Sequence, residues 1–214
     1  MSELLEAYWS PIYAMLRRSG LAREDAADLT QSFITERMLD GELLDRADPG
    51  RGRFRGLLQR AVRNHMIDHL RREQAMARRQ AAWTPEMLDA AEPCEGDDPA
   101  TAFDRQYASA MLGRALELLE AECAASDMGA QWTVFDERVV RKVRGGLATP
   151  VSELAERLNA RSSQVIFSMN QTMNRKFEAV FDQVIAQTVE SPEEVADEKR
   201  RILEIMGVNG ESGG

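Results

Sequence analysis

Along most of the chain, apolar residues recur every three or four positions, the spacing of helices that bury one face. This pattern predicts a helix over residues 3–18 and a second over residues 23–39, with acids in its first turn. A proline and two glycines in residues 46–53 exclude helix there. A third, arginine-rich helix is predicted over residues 54–79, with a break near Asn64.

Residues 81–102 contain three prolines among acids, and we interpret this segment as a linker. Helical spacing of apolar residues resumes after it. Helices are predicted at 102–123, 132–144, 152–158 and 163–188. The last two, joined by a turn at 159–161, form a helix-turn-helix candidate, with Ser152 and Ser162 as expected N-caps. A short final helix should begin at Ser191-Pro192 and end at Gly207.

Together these elements predict an all-α fold of two small helical domains joined by an acidic linker, the second containing the helix-turn-helix. Helix-forming residues dominate and β-branched runs are nearly absent, which favours the same class. The expected parts are a first domain at 1–80, the linker at 81–104, a second domain at 105–190, a helical extension at 191–207 and a disordered tail at 208–214.

Charge is distributed unevenly along the chain, although the net value is −9. Residues 51–80 hold nine arginines and two acids, a local balance of +7, whereas residues 86–104 hold seven acids and no basic residue, a balance of −7. A basic segment of this kind is the electrostatic footprint of a nucleic-acid-binding surface.

Enzyme chemistry has little support in the sequence. His65 and His69 have the spacing of two metal ligands on a helix face, but no third ligand accompanies them, and we interpret them as solvated or backbone-bonded side chains. Neither a nucleophile beside a histidine base nor a phosphate-binding glycine loop is evident. Cys94 and Cys123 lie far apart in the chain and predict no disulfide. We therefore expect a cytoplasmic protein without catalytic residues, metal, cofactor, small-molecule substrate or membrane span.

Three segments resemble bacterial RNA polymerase sigma factors of the extracytoplasmic-function type. Residues 24–33, EDAADLTQSF, are similar to a family motif in the second helix, and residues 51–58, RGRFRGLL, with Arg63-Asn64 and Leu70-Arg71-Arg72, are similar to a motif in the third. Residues 152–158, SELAERL, resemble the first helix of the region-four helix-turn-helix. Residues 185–195 resemble a carboxy-terminal extension of one family branch. The resemblance implies a factor that binds core RNA polymerase and promoter DNA, with an anti-sigma factor as a further candidate partner.

In that family, a polar face of the second helix docks on the polymerase clamp, and the third helix contacts the minus-ten element. The resemblance thus implies polymerase contacts by Asp25, Asp28, Gln31 and Ser32. On the minus-ten side it implies a base pocket formed by residues 48–53. The residues implied to contact DNA there are Arg51, Arg53, Phe54, Arg60, Arg63, Asn64, Arg71 and Arg72. Phe54 has an alternative role as a core anchor, and both stay open.

The second helix of the helix-turn-helix departs from the family pattern, because no basic residue precedes Arg175 and Lys176. Base-edge contacts are still available to polar side chains there, and the candidate DNA-binding residues are Ser163, Gln164, Asn170, Gln171, Asn174, Arg175 and Lys176. Phe167 and Met169 are alternatives for the core. Upstream cations could hold the DNA backbone instead, namely Arg138, Arg141, Lys142 and Arg144.

Three hypotheses remain open at this point. The chain is a working sigma factor, a sigma-derived interaction protein that has lost minus-thirty-five reading, or an unrelated helix-turn-helix regulator. The last predicts a dimer with a basic recognition helix, and the sequence supports neither clearly.

Overall fold

A computed structural model describes the backbone of residues 2–39, 54–79, 98–189 and 191–207, and the side chains of residues 8–38, 54–73, 98–189 and 191–207. Within these ranges the regular structure is helical throughout, without strands, and the predicted all-α class is confirmed. None of the described helices combines the length and the apolar character needed to cross a membrane.

Eight helices account for this part of the chain, and two of them contain a π-helical segment. The helices are α1 (Ser2–Arg18), α2 (Arg23–Phe33, continued as π-helix by Ile34–Leu39), α3 (Phe54–Arg79), α4 (Pro99–Ala125), α5 (Gly129–Phe135, continued by the π-helical Asp136–Val140 and a last turn Arg141–Val143), α6 (Val151–Arg157), α7 (Ser163–Ala186) and α8 (Pro192–Ile205).

Two local expectations are wrong. The helix α3 continues through Asn64 without a break, because the neighbouring Val62 and His65 are buried and packing holds this turn in place. Ser152 is not an N-cap, since α6 begins at Val151 with Pro150 in the cap position. Proline serves there because its fixed φ, here −56°, suits a helix entrance, and its carbonyl accepts the first helical hydrogen bond, from Leu154 at 3.1 Å.

The described helices belong to two compact units. The first comprises Met1–Met111 together with Ile185–Gly214, and the second comprises Leu112–Val184. The carboxy-terminal segment thus groups with the amino-terminal one. This grouping differs from the domain boundaries read from the sequence, which remain a prediction.

The first unit is built around a row of aromatic side chains that joins α1, α3 and α4. The rings of Tyr8 and Phe54 make a T-shaped contact at a centroid distance of 5.6 Å, and Tyr8 stacks on Tyr107 at 6.1 Å. Phe103 also stacks on Tyr107, at 6.2 Å. The first unit also buries apolar residues of α1, α2 and α3, which are Ile12, Met15, Leu16, Leu29, Leu58 and Val62.

A buried arginine lies beside the aromatic row. Arg55 is 6% exposed, and its Nε donates to Oε1 of Glu198 on α8 at 3.0 Å. Its Nη1 donates to Oδ1 of Asp104 on α4, which also accepts from Gln59 at 2.7 Å. Burial by itself would lower the pKa of Arg55, but the hydrogen bond to Asp104 and the charge of Glu198 outweigh it and raise the pKa. Three helices are therefore joined through one guanidinium.

The second unit contains the helix-turn-helix. Val134 of α5, Leu154 of α6 and Ile166 of α7 are fully buried and form its core, and partly buried residues pack against them, namely Val151, Ala155, Leu158, Ala160 and Met169. In the turn between α6 and α7, Asn159 has a φ of +48°, a left-handed conformation that asparagine tolerates better than most residues.

A polar cluster fixes the entrance of α6 on α5. Glu137 accepts a hydrogen bond from the hydroxyl of Thr149 at 2.7 Å and pairs with Arg157, while the backbone N–H of Thr149 donates to its carbonyl at 3.1 Å. The Thr149 hydroxyl and the Arg157 guanidinium lower the pKa of Glu137. Arg138 completes the cluster by donating to the Thr149 carbonyl at 3.1 Å.

The neighbouring residues Ile166 and Phe167 should respond very differently to truncation. Ile166→Ala should lower the free energy of unfolding by about 2–5 kcal/mol, because it opens a cavity in the helix-turn-helix core. Phe167 is 52% exposed, with Arg138 6.0 Å from its ring centroid, so Phe167→Ala should cost less than about 1 kcal/mol. Urea unfolding of the full chain measures both values, and equal losses would contradict the assignment.

Candidate nucleic-acid interface

The helix α3 has one exposed face and one buried face. Arg60, Arg63, Asn64 and Arg71 are exposed, and their spacing of three, four and seven positions places them on the same side of the helix. Ile67 and Leu70 lie among them, 37% and 38% exposed. We call these six residues the α3 stripe. Arg72 is also exposed, but it follows the buried His65 by seven positions and therefore lies on a different side of the helix.

The buried face of α3 explains why the stripe faces outward. Leu58, Val62 and His65 follow one another at helical spacing and are 0%, 1% and 8% exposed. Phe54, predicted near the base pocket, is 8% exposed and packs on Tyr8. Of the two alternatives for Phe54, this burial favours the core anchor, because a side chain covered by protein is not open to a base.

Sequence reasoning assigned no role to Arg55, an arginine of the basic segment whose side chain is buried. The signal was present, since Arg55 precedes Leu58 by three positions and Val62 by seven and therefore continues the apolar side of α3. Its charge is neutralised inside the unit by Asp104 and Glu198. The exposed charge of α3 in its described part comes from the other arginines.

Three of the four α2 residues predicted to bind polymerase are exposed, and the fourth is half-buried. Asp25, Asp28 and Gln31 are exposed, whereas the opposite side of the helix, with Leu29 and Phe33, is buried. An exposed acidic face of this kind suits a basic partner surface.

Ser32, the fourth predicted member of that face, is half-buried and lies at the contact with α3. Its Oγ donates to Oε1 of Glu36 at 2.9 Å and lies 3.3 Å from Nε2 of His65. The rings of His65 and Phe33 also make a T-shaped contact, with a centroid distance of 5.5 Å. His65 is therefore a packed residue between α2 and α3, not the solvated or backbone-bonded side chain expected from the sequence. His69 pairs with Glu73 one turn later, at 3.3 Å.

The candidate residues of the helix-turn-helix do not share one surface. Ser163, Gln164, Gln171 and Arg175 are exposed on one side of α7, together with Phe167. Asn170 and Asn174 lie at the half-buried margin, and Lys176 pairs with Glu122 of α4. The exposed side of α7 thus carries one cation among the predicted residues.

Oδ1 of Asn170 is enclosed and has no hydrogen-bond partner among the described residues. Among the upstream cations, Arg138 is half-buried, whereas Arg141, Lys142 and Arg144 are exposed at the end of α5. These three lie where a nucleic-acid backbone could reach them. The two helices and the turn of the helix-turn-helix are therefore present, but most of the exposed positive charge lies at the end of α5 and not on α7.

Several predictions fall outside the described residues. They are the DNA contacts of Arg51 and Arg53, the base pocket at 48–53, the acidic segment before residue 98, Cys94 and the tail at 208–214. Cys123 is described and buried, with its Sγ 3.9 Å from Sδ of Met173.

Comparison with protein families finds a match in the first part of the chain. Residues 4–76 match the family model of sigma-70 region 2, which includes α1, α2 and nearly all of α3. The match covers about a third of the chain and supports membership of the sigma-70 family, without distinguishing the extracytoplasmic-function type. No curated protein and no solved structure matches the chain.

The packing of His65 makes the stability of the first unit depend on pH. Burial lowers the pKa of His65 below its ordinary 6.5, and the charges of Arg37, His69 and Arg72 lower it further, against an opposing effect of Glu36. The neutral ring is therefore favoured by folding, and its contribution is complete above about pH 6.5 and is lost as the pH falls from there through the lower pKa of the folded state.

We expect the free energy of unfolding to be smaller at pH 5.5 than at pH 7.5, and the difference to shrink in His65→Gln. Urea titrations at the two pH values measure it. His69→Gln, a change on the same helix at a more exposed position, is the comparison variant, and it should reduce the pH dependence less, because His69 acts on His65 through its charge alone. A pH dependence reduced equally by both substitutions would contradict the role of His65.

Proposed function

We propose that this chain is a sigma factor of the extracytoplasmic-function type, which binds core RNA polymerase, directs it to promoters and helps to open the minus-ten region. The observation that carries the proposal is that the segment matching sigma-70 region 2 presents the arginine-rich α3 stripe to solvent. The activity is one of binding and positioning, with no catalytic residue of its own.

The α3 stripe has the chemistry that an opened DNA strand requires. Arg60, Arg63 and Arg71 can neutralise phosphates, which supplies affinity that is independent of sequence. Ile67 and Leu70 between them offer apolar contact to bases that have lost their stacking partners. Asn64 adds an amide that can hydrogen-bond to base edges.

The exposed acids of α2 support a separate surface for the polymerase. Asp25 and Asp28 lie one turn apart and point away from the buried side of α2. Ser32 contributes less to this surface in our proposal, because its hydroxyl is already engaged with Glu36 beside His65. We place the protein in the bacterial cytoplasm with its polymerase, and co-purification would identify an anti-sigma factor.

The exposed side of α7 favours a second candidate function. Because it carries only Arg175 among its predicted DNA-binding residues, phosphate anchoring there would be weak. A protein derived from a sigma factor could then bind polymerase through the first unit without reading the minus-thirty-five element. Transcription from a library of random promoters distinguishes the two. Initiation with a preferred minus-thirty-five sequence supports the full sigma factor, and tight core binding without initiation supports the second candidate.

Removal of two arginines from α3 should strongly reduce specific initiation in this assay. Arg71→Ala/Arg72→Ala deletes two exposed cations without opening the core, so folding and core binding should persist while initiation from library promoters falls at least about tenfold. Arg105→Ala/Arg200→Ala, which removes the same charge from two exposed positions of the first unit outside α3, is the matched control. Unchanged initiation in a folded Arg71/Arg72 variant would contradict the role of the stripe. Failure of the unaltered chain to bind core would contradict both candidates and favour a stand-alone regulator.

Charge reversal on α2 should weaken the polymerase complex. Asp28→Lys places a cation where we propose a basic partner, so the dissociation constant for core polymerase should rise about tenfold or more, with little change in the thermal midpoint. Glu204→Lys reverses an exposed charge elsewhere in the same unit and should leave core affinity unchanged. Equal core affinities for the two folded variants would remove α2 from the proposed interface.

A further inference from the structure

The last helix, α8, is joined to the first unit by a buried carboxylate. Glu198 is 1% exposed, and Ile202, one turn later on the same side of α8, is fully buried. Oε1 of Glu198 accepts the hydrogen bond from Nε of Arg55 at 3.0 Å. A carboxylate is rarely enclosed to this degree unless a cation accompanies it.

The ionic network around Arg55 includes charged groups from three helices. Two guanidinium groups, Arg55 and Arg201, face two carboxylates, Asp104 and Glu198. Nη1 and Nε of Arg55 point to different carboxylates, and Nη2 of Arg201 lies 3.8 Å from Oδ2 of Asp104. Arg55 is thus held from two directions, by α4 and by α8.

This arrangement bears directly on the α3 stripe, because Arg55 belongs to the same rigid helix. Rotation of α3 about its axis moves Arg55 and the stripe together. Apolar contacts at Leu58 and Val62 tolerate small rotations, whereas charged hydrogen bonds from a planar guanidinium constrain direction as well as distance.

We propose that Glu198 is a positioning residue for α3, so that contact of the α3 stripe with opened promoter DNA depends on the carboxy-terminal helix. This inference rests on the proposed sigma function. Stability alone does not call for such a network, because well-packed apolar residues of similar volume often serve as well as a buried ion pair. The ionic network supplies a fixed orientation of the helix that presents the arginines.

Two variants of the full chain separate positioning from stability. Glu198→Gln keeps the shape of the side chain and removes its charge. Arg55→Met/Glu198→Met replaces one ion pair by apolar residues of similar length and leaves Asp104 with Arg201 and Gln59. Glu204→Gln removes the same charge from an exposed position of α8 and is the matched control.

Each variant is assembled with core polymerase, and three quantities are measured: the thermal midpoint by circular dichroism, the affinity for core, and the affinity of the complex for a fork-junction DNA whose minus-ten strand is unpaired. In Glu198→Gln and in the double variant, we expect fork-junction affinity to fall about tenfold, equivalent to the loss of one good base or phosphate contact. Core affinity should stay within about twofold of the unaltered chain, and Glu204→Gln should match that chain in all three measurements.

Several results would overturn the inference. A folded double variant that binds fork-junction DNA like the unaltered chain would show that the network has no positioning role. A parallel loss of core and DNA affinity, or unfolding of both variants, would assign it to stability alone. If the unaltered chain fails to bind core at all, the sigma function itself is wrong, and the inference falls with it. If the unaltered chain binds core and the variants bind fork-junction DNA as well as it does, the sigma function stands and only this inference is wrong.

Discussion

A guanidinium that is enclosed by protein must find hydrogen-bonding partners to replace the water it loses, and a carboxylate beside it must be compensated in turn. Arg55 meets this requirement with carboxylates 49 and 143 positions further along the chain. Removal of one partner from such a pair costs about 3–5 kcal/mol, because the other charge stays buried without compensation. The first unit therefore needs α4 and α8 in place before its core is complete, and this is one reason why it combines the two ends of the chain.

The same requirement divides the arginines of α3 between two tasks. Arg55 is used inside the unit, beside the ring of Tyr107 at 6.0 Å, while Arg60, Arg63 and Arg71 remain in solvent. A helix that is anchored through one charged side chain presents the others in a defined direction. In our proposal this anchoring connects the fold to promoter opening, since the exposed arginines bind phosphates only where the helix places them.

The second unit relies on a different balance of forces. Its core around Leu154 and Ile166 is apolar. Its polar cluster at Glu137 holds the start of α6, whereas the ionic network of the first unit holds α3, the helix proposed to contact DNA. The exposed side of α7 is mostly uncharged, so any DNA reading there would depend on short-range hydrogen bonds more than on phosphate attraction. In our proposal the first unit contributes most of the affinity for promoter DNA. The second unit either adds selectivity for the minus-thirty-five sequence or makes no contribution to DNA binding.

The helices themselves were predictable from the sequence, because a helix is specified locally by apolar spacing and by residues such as Gly20 and Asn159, which adopt positive φ where a helix must stop. The polar face of α2 followed from the same spacing, whereas the DNA-contacting arginines of α3 were expected from the family resemblance. The role of Arg55, the burial of Phe54, the contact of His65 with Ser32 and the inward turn of Asn170 did not follow from it. Each depends on which distant segment covers a given helix face, and local periodicity shows only that a face is covered, not which segment covers it. The partnership of Arg55 with Glu198, across 143 positions, was therefore decided by tertiary packing alone.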